Sequence, residues 1–323
     1  MQAIRIRESG GPDVLELAEV ERPAPAPGEL LVRVKAAGVN RADILQRLGR
    51  YPAPPGVPAD IPGLEYAGVV QEVGRGAAPW RSGDRVMGIV AGGAYAEFVT
   101  TDPRHPMRIP GAWTFEQAAA VPEAFLTAHD ALHRAVGLRA GERILIHAVG
   151  SSVGLALLQL AKAAGCSVAG TSRTSDKLTR AEALGLDRPV LVRDVFDPEV
   201  DLQSWADVIC DLVGGPYLAG NLAAVAPRGR IVVIGLTGGR SADIDLGSLL
   251  RKRVVLVGTT LRGRSADEKA TVVRSFVDGA LSQFEDGALR AVLDRVFPMA
   301  DASEAHRYVE ANRNFGSVVL SWA

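Results

Sequence analysis

Residues 143–162 constrain this chain more than any other stretch. An apolar run, Ile144-Leu145-Ile146, leads into small residues, Val149-Gly150-Ser151-Ser152-Val153-Gly154, and then into apolar residues at helical spacing as far as Lys162. A strand that turns tightly into a helix leaves the first N–H groups of that helix unpaired and aims the positive end of its dipole at the turn. Small residues let an anion approach the backbone there, so the stretch predicts a pyrophosphate site. The glycine positions of the G-x-G-x-x-G pattern read Val149, Ser151 and Gly154. Ser151, Ser152, Val153 and Gly154 are therefore expected to meet the anion through backbone N–H groups, with the Ser151 hydroxyl as an added donor.

The residues beyond the helix narrow the ligand. Gly165 reads as the helix stop and Ser167-Val168-Ala169-Gly170-Thr171 as the next, parallel strand. A dinucleotide with a free adenosine ribose needs an acidic residue at the end of that strand. The chain instead has Ser172-Arg173-Thr174-Ser175-Asp176-Lys177. Two cations and three hydroxyls suit a 2′-phosphate, so Arg173 and Lys177 point to NADPH rather than NADH.

A chain of 323 residues is long enough for two domains. An apolar fraction of 47% with 23% charged residues and a formal net charge of −1 fits a soluble globular protein and argues against nucleic acid as the main partner. The start, Met1-Gln2-Ala3-Ile4-Arg5, lacks the pattern of a secretory leader. No uninterrupted apolar run is long enough for a bilayer, and the expected compartment is the cytoplasm. Cys166 and Cys210 lie beside apolar strand-like runs and are expected as buried, reduced thiols.

The texture of the sequence changes along its length. Up to Val121, short alternating runs such as Leu30–Lys35, Ala67–Val73 and Tyr95–Val99 are broken by proline and glycine turns, the pattern of antiparallel β structure in a barrel-like domain. Pro52-Ala53-Pro54-Pro55-Gly56 leaves Arg50 and Tyr51 on a stiff, exposed loop. From Pro122, helix and strand alternate: Phe125–Val136 reads as helix, and Asp207–Asp211, Arg230–Gly235 and Val254–Gly258 as strands. Such alternation implies an α/β, doubly wound parallel sheet with helices on both faces, over residues 122–265. Residues 266–323 hold two helix candidates and a terminal strand, Ser317–Ser321, expected to return to the first domain of residues 1–121 and to leave a cleft between the two domains.

Several stretches together resemble the quinone oxidoreductase branch of the medium-chain dehydrogenase/reductase superfamily over essentially the whole chain. They are Ala37–Arg47, Pro62–Val70, Gly83–Gly88, Gly93–Phe98, the turn from Ala148 to Gly154, and Glu310–Ser317. Within the branch, Ser151 in a glycine's place and Arg47-Leu48-Gly49-Arg50-Tyr51-Pro52 are similar to the tumour-suppressor-inducible enzymes and their bacterial relatives. The resemblance implies a Rossmann domain with a GroES-like β-barrel domain, and NADPH-dependent reduction of a small quinone. It aligns Gly38 and Leu64 with a cysteine and a histidine that hold catalytic zinc in related alcohol dehydrogenases, so a zinc-free site is expected. His129 and His133, four apart on a helix, lack a third ligand and read as helix surface or satisfied polar groups.

The resemblance also assigns roles. Asn40 is placed near the nicotinamide ribose and Tyr51 where a phenol can hydrogen-bond a quinone oxygen. Thr127 is placed at a helix N-terminal turn beside the nicotinamide, Gly235, Leu236 and Leu261 along the carboxyl edge of the sheet, and Asn312 on the returning segment. Val192 or Arg193 stands where relatives place a tyrosine near the adenine ribose phosphate. A homodimer joined through Arg240–Val257 is implied. The competing expectations are reduction of enones or 2-enoyl thioesters, and a non-catalytic NADPH-binding or RNA-binding role.

Overall fold

The computed structural model describes residues 1–111 and 113–322. Its chain divides into two compact units, Met1–Leu126 with Leu261–Ala323, and Thr127–Thr260.

The first unit opens with a hairpin, β1 (Gln2–Ile6) and β2 (Leu15–Glu19), followed by β3 (Leu30–Val39), helix α1 (Arg41–Arg47), β4 (Glu65–Val73), β5 (Arg85–Ile89), β6 (Phe98–Thr101) and β7 (Pro106–Arg108). Two short helices follow, α2 (Phe115–Ala119) and α3 (Pro122–His129). Helix α2 begins in a reciprocal cap between Thr114 and Gln117. Helix α3 starts at Pro122, three residues earlier than the sequence pattern suggests, because proline at the first helical position has no N–H to leave unpaired. The same helix widens into a π-helical stretch, Asp130–Ala135, and stops at Gly137, whose φ of 58° few other residues adopt.

The second unit alternates β8 (Arg143–Ile146), α4 (Ser152–Ala163), β9 (Ser167–Ser172), α5 (Ser175–Glu182), β10 (Arg188–Leu191), β11 (Ala206–Asp211), α6 (Leu218–Ala224), β12 (Val225–Val233), α7 (Leu246–Lys252) and β13 (Val255–Gly258). Its strands are parallel in the order β10-β9-β8-β11-β12-β13. The order reverses between β8 and β11, and ligands of such sheets bind outside the carboxyl ends of the strands at that switch point. Leu145, Ile209 and Ile231 from three adjacent strands are fully buried, with Phe196 and Leu222 packed among the same core residues. Each such side chain contributes about 1.5–3 kcal/mol by leaving water.

The chain then returns through α8 (Ala266–Gly279), capped reciprocally by Ser265 and Glu268, to β14 (Leu293–Pro298), α9 (Ala302–Glu310) and β15 (Ser317–Ser321). The terminal strand pairs antiparallel with the second half of β3, from Ala36 to Val39, while β6 pairs with the first half, Leu30 to Arg33. Strand β14, which the sequence pattern does not reveal, lies parallel to β15. Its alternation is blurred because Leu293 and Asp294 are both half-buried and Arg295 and Val296 both exposed. Cys166 and Cys210 are free and buried. Among the described residues, no helix is long and apolar enough to cross a membrane.

Candidate functional site

In the second unit the turn after β8 is built by its own side chains. Ser151 is the N-cap of α4: its hydroxyl accepts from the Gly154 N–H at 3.1 Å and donates to the Ala148 carbonyl at 2.8 Å. The hydroxyl proton is thereby engaged within the turn, so what Ser151 presents outward is backbone. Helix geometry leaves the N–H groups of Ser152 and Val153 without an intrahelical partner. Gly154 is required by close packing, since a Cβ there would lie 2.5 Å from the Ala148 oxygen and 2.7 Å from the Val149 oxygen. The Lys177 stem lies against Gly150, so the sheet's next helix brings this cation to the turn. Arg173 is exposed after the end of β9, close enough to Tyr217 for its charge to act on that phenol.

Beneath the turn lies a polar chain that sequence reasoning missed. The fully buried His147 ring contacts Thr171 Oγ1 at 3.0 Å through Nδ1 and Asn221 Oδ1 at 2.6 Å through Nε2. An amide oxygen only accepts, so Nε2 carries the proton, Nδ1 accepts from Thr171, and Thr171 in turn accepts from the Ala148 N–H at 3.3 Å. Burial lowers the His147 pKa, in keeping with a neutral ring. Asn221 donates to Asp211 Oδ2 at 2.9 Å, and Asp211 Oδ1 takes the N–H groups of Val213 and Gly214, each at 2.8 Å. The chain thus ties the carboxyl ends of β8, β9 and β11 together and anchors Ala148, a non-glycine residue at φ 51°. Gly235 follows β12, its N–H on the Asp211 carbonyl at 3.2 Å, and Leu236 is half exposed beside it. Thr127 is half-buried in the second turn of α3 rather than its first, because that helix begins at Pro122. His129 is buried rather than on the helix surface, with its ring 4.4 Å from that of His133; burial, reinforced by His133, lowers its pKa to about 4. Val192 is buried and Arg193 exposed.

The first unit holds a denser set of charges. Asn40 ends β3 and starts α1; its N–H donates to Asp43 Oδ2 and its side-chain amide to Glu65 Oε1, each at 2.8 Å. Glu65 Oε2 accepts from the Glu123 N–H at 2.8 Å. Asp43 also takes the Gly63 N–H at 2.9 Å and the Tyr95 hydroxyl at 3.3 Å. Burial raises the Glu65 pKa to about 8 and that of Asp43 to about 6, and with the Asp43 charge nearby it raises Glu123 to about 7. From Tyr95 the chain continues to His306 Nε2 at 3.2 Å, and His306 Nδ1 accepts from the fully buried Arg47 at 3.3 Å. Burial, aided by the Arg47 charge, lowers the His306 pKa to about 3, so the ring is neutral. Arg47 closes on Glu310 at 2.7 Å.

Tyr51 is half-buried rather than exposed, its ring 5.0 Å from the Arg262 guanidinium carbon. Asn312 adopts a left-handed φ of 53° after α9 and accepts from Arg41 Nη2 at 3.0 Å, which brings it to the start of α1 next to Asn40. Leu261 is buried where the chain re-enters this unit. A zinc ion does not fit the residues present. Gly38 offers no donor, and the space a side chain would take there is filled by the Glu65 carboxyl. Leu64 is an apolar, buried side chain.

Both units match known families. Residues 26–129 match the alcohol dehydrogenase GroES-like domain and residues 152–278 the zinc-binding dehydrogenase family. The architecture is that of the medium-chain dehydrogenases and reductases. A quinone oxidoreductase of Pseudomonas aeruginosa is 34% identical, covering 98% of each chain. The crystal structure of a Pseudomonas syringae pv. tomato quinone oxidoreductase is 32% identical with a TM-score of 0.88, covering 99% of both chains. That of Escherichia coli quinone oxidoreductase complexed with NADPH is 29% identical with a TM-score of 0.86, covering 99% of this chain and 100% of the other. The chain belongs to the quinone oxidoreductase branch of the medium-chain dehydrogenase/reductase superfamily.

Proposed function

We propose that this protein reduces quinones with NADPH and without a metal. The observation that carries the reading is kinship with quinone oxidoreductases over the full length; Gly38 and Leu64, which the resemblance aligns with zinc-holding residues of alcohol dehydrogenases, offer no metal donor, and the Glu65 carboxyl fills the space beside Gly38. Removal of hydride from an alcohol needs a stabilised alkoxide, which a site without a Lewis acid supplies poorly. A quinone needs less help: it takes a hydride and a proton and becomes an aromatic hydroquinone, so alignment contributes most of the catalysis.

NADPH fits the second unit. The pyrophosphate would meet the N–H groups at the start of α4, Ser151 to Gly154, and the 2′-phosphate would meet Arg173 and Lys177. Gly235 and Leu236 would flank the dinucleotide along the sheet edge, and Thr127 would add to its surroundings. When bound, the cofactor supplies the hydride. Glu65 holds the Asn40 amide N–H and so fixes the side chain, whose oxygen would accept from a ribose hydroxyl. The Tyr51 hydroxyl would donate to a quinone oxygen, a contact that strengthens as charge builds there.

A homodimer fits the sheet edge. Strand β13 ends the sheet, and Val255 and Leu256 on it, with Leu246 and Leu250 on α7, are exposed, the last by 72%. An uncovered apolar edge invites pairing, and a second copy would cover it.

Absorbance assays of NADPH oxidation with phenanthrenequinone test the reading. Turnover unchanged by a zinc chelator is expected; no turnover while NADPH binds would reject it. Sedimentation at micromolar concentration should give a dimer, and a monomer would remove the proposed edge contact.

A further inference from the structure

One buried cation has no part in the proposed hydride transfer. Arg262 is the second residue of the returning segment and only 5% exposed. All three of its guanidinium nitrogens donate: Nε to the Ala91 carbonyl at 2.7 Å, Nη1 to the Tyr51 carbonyl at 3.1 Å and Nη2 to Gln46 Oε1 at 2.6 Å. The Tyr51 ring also lies on the guanidinium, 5.0 Å from its central carbon to the ring centroid. Gln46 in turn donates to the Ala59 carbonyl at 2.9 Å. The two side chains therefore grip the proline-rich loop at both ends, Tyr51 through Arg262 and Ala59 through Gln46.

This arrangement is more specific than a buried ion pair. The planar fork fixes the backbone oxygen of Tyr51 and the plane of its ring at once, which a point charge on a flexible stem does not do. The loop between the two anchors carries Pro52, Pro54, Pro55 and Pro58, so it is stiff and transmits the position of its ends. Asp43 and Glu123 are near enough for their charges to act on Arg262, so the guanidinium is held from the interior side as well.

We propose that Arg262, with Gln46, is the positioning residue that aims the Tyr51 phenol at the quinone. The proposal rests on the role proposed for Tyr51 as donor to the substrate. All three Arg262 guanidinium nitrogens are engaged by the protein, so it acts through the loop.

The test uses full-length Arg262→Ala, Arg262→Lys and Tyr51→Ala variants and the Arg262→Ala/Tyr51→Ala double variant. Arg262→Ala should raise the quinone KM about tenfold and leave the NADPH KM within twofold. Arg262→Lys should behave the same way, because lysine cannot supply the fork. In the Tyr51→Ala background the removal of Arg262 should change the quinone KM by less than twofold. Limited trypsin digestion reads the loop without any turnover: cleavage between Arg50 and Tyr51 should accelerate about fivefold in Arg262→Ala and Arg262→Lys, while cleavage after Arg180, inside helix α5, keeps its rate and so excludes general unfolding. An Arg262 defect that persists in full on Tyr51→Ala, or unchanged cleavage at Arg50, would overturn the clamp while leaving the role of Tyr51 intact. A Tyr51→Ala variant with the wild-type quinone KM would remove that role and the proposal with it.

Discussion

The two units bury polar side chains in opposite ways. In the Rossmann unit, the chain from Thr171 through His147 and Asn221 to Asp211 holds one carboxylate, and that carboxylate takes two backbone N–H groups and an amide. It is satisfied at every step and supports a turn. In the GroES-like unit, the set around Asn40 holds three carboxyl groups, Asp43, Glu65 and Glu123, each raised above its ordinary pKa by burial. A buried carboxylate without full compensation is costly, so Glu65 at about 8 keeps its proton near neutral pH, Glu123 at about 7 shares its proton with solvent there, and Asp43 at about 6 is largely ionised. The difference teaches that one unit uses buried polar groups to hold a cradle in shape, and the other places carboxyl groups that titrate near neutral pH where the substrate is proposed to react.

Removing Arg47 breaks the GroES-like network hardest. It is fully buried and joins the carbonyl of Gly10, His306 and Glu310. Arg47→Ala should cost about 3 kcal/mol by leaving a cavity and stranded partners, read as a lower urea midpoint. Loss of only a few tenths of a kcal/mol would mean the network is slack. In the Rossmann unit, Asn221→Ala strands His147 and Asp211 and should cost about 2 kcal/mol, with weaker NADPH binding because Ala148 loses its support. Unchanged NADPH affinity in a folded variant would separate the polar chain from the turn.

Glu65→Gln sharpens the contrast in pH. The ordinary Glu65 pKa of 4.5 rises to about 8 in the folded protein. The folded state therefore holds a proton that the unfolded state releases, and stability falls as pH rises from about 4.5 to about 8, levelling above that. The amide keeps one acceptor and should cost about 1 kcal/mol below about pH 4.5, where Glu65 is protonated in both states, and less as pH rises above that. It should also flatten the pH dependence across that window in urea titrations; an identical slope would show that Glu65 is ionised throughout.

The architecture could be read from the sequence where its signals are local. The turn from Ala148 to Gly154 and the alternation after it lie within short windows, and the Ser151 cap needs only its own neighbours. The site in the GroES-like unit is not local. Nothing beside Asp43 or Glu65 in the chain marks either carboxyl as interior, and Arg47 meets His306 across 259 residues. Charged residues lie on surfaces by default, and only tertiary structure reveals the exceptions. Arg262 escaped for the same reason: its partners at 46, 51 and 91 are scattered along the chain. Strand β14 escaped because its side chains do not alternate cleanly between buried and exposed.

The most direct test of a phosphate-reading cradle is cofactor preference in phenanthrenequinone reduction, measured as kcat/KM for NADPH and NADH in the wild type and in Arg173→Ala. A 2′-phosphate held by Arg173 predicts a preference for NADPH of about tenfold or more, the energy of one charge-assisted phosphate contact, and a collapse toward parity in the variant with NADH unaffected. Equal use of NADH by the wild type, or an equal loss with both cofactors in the variant, would contradict it.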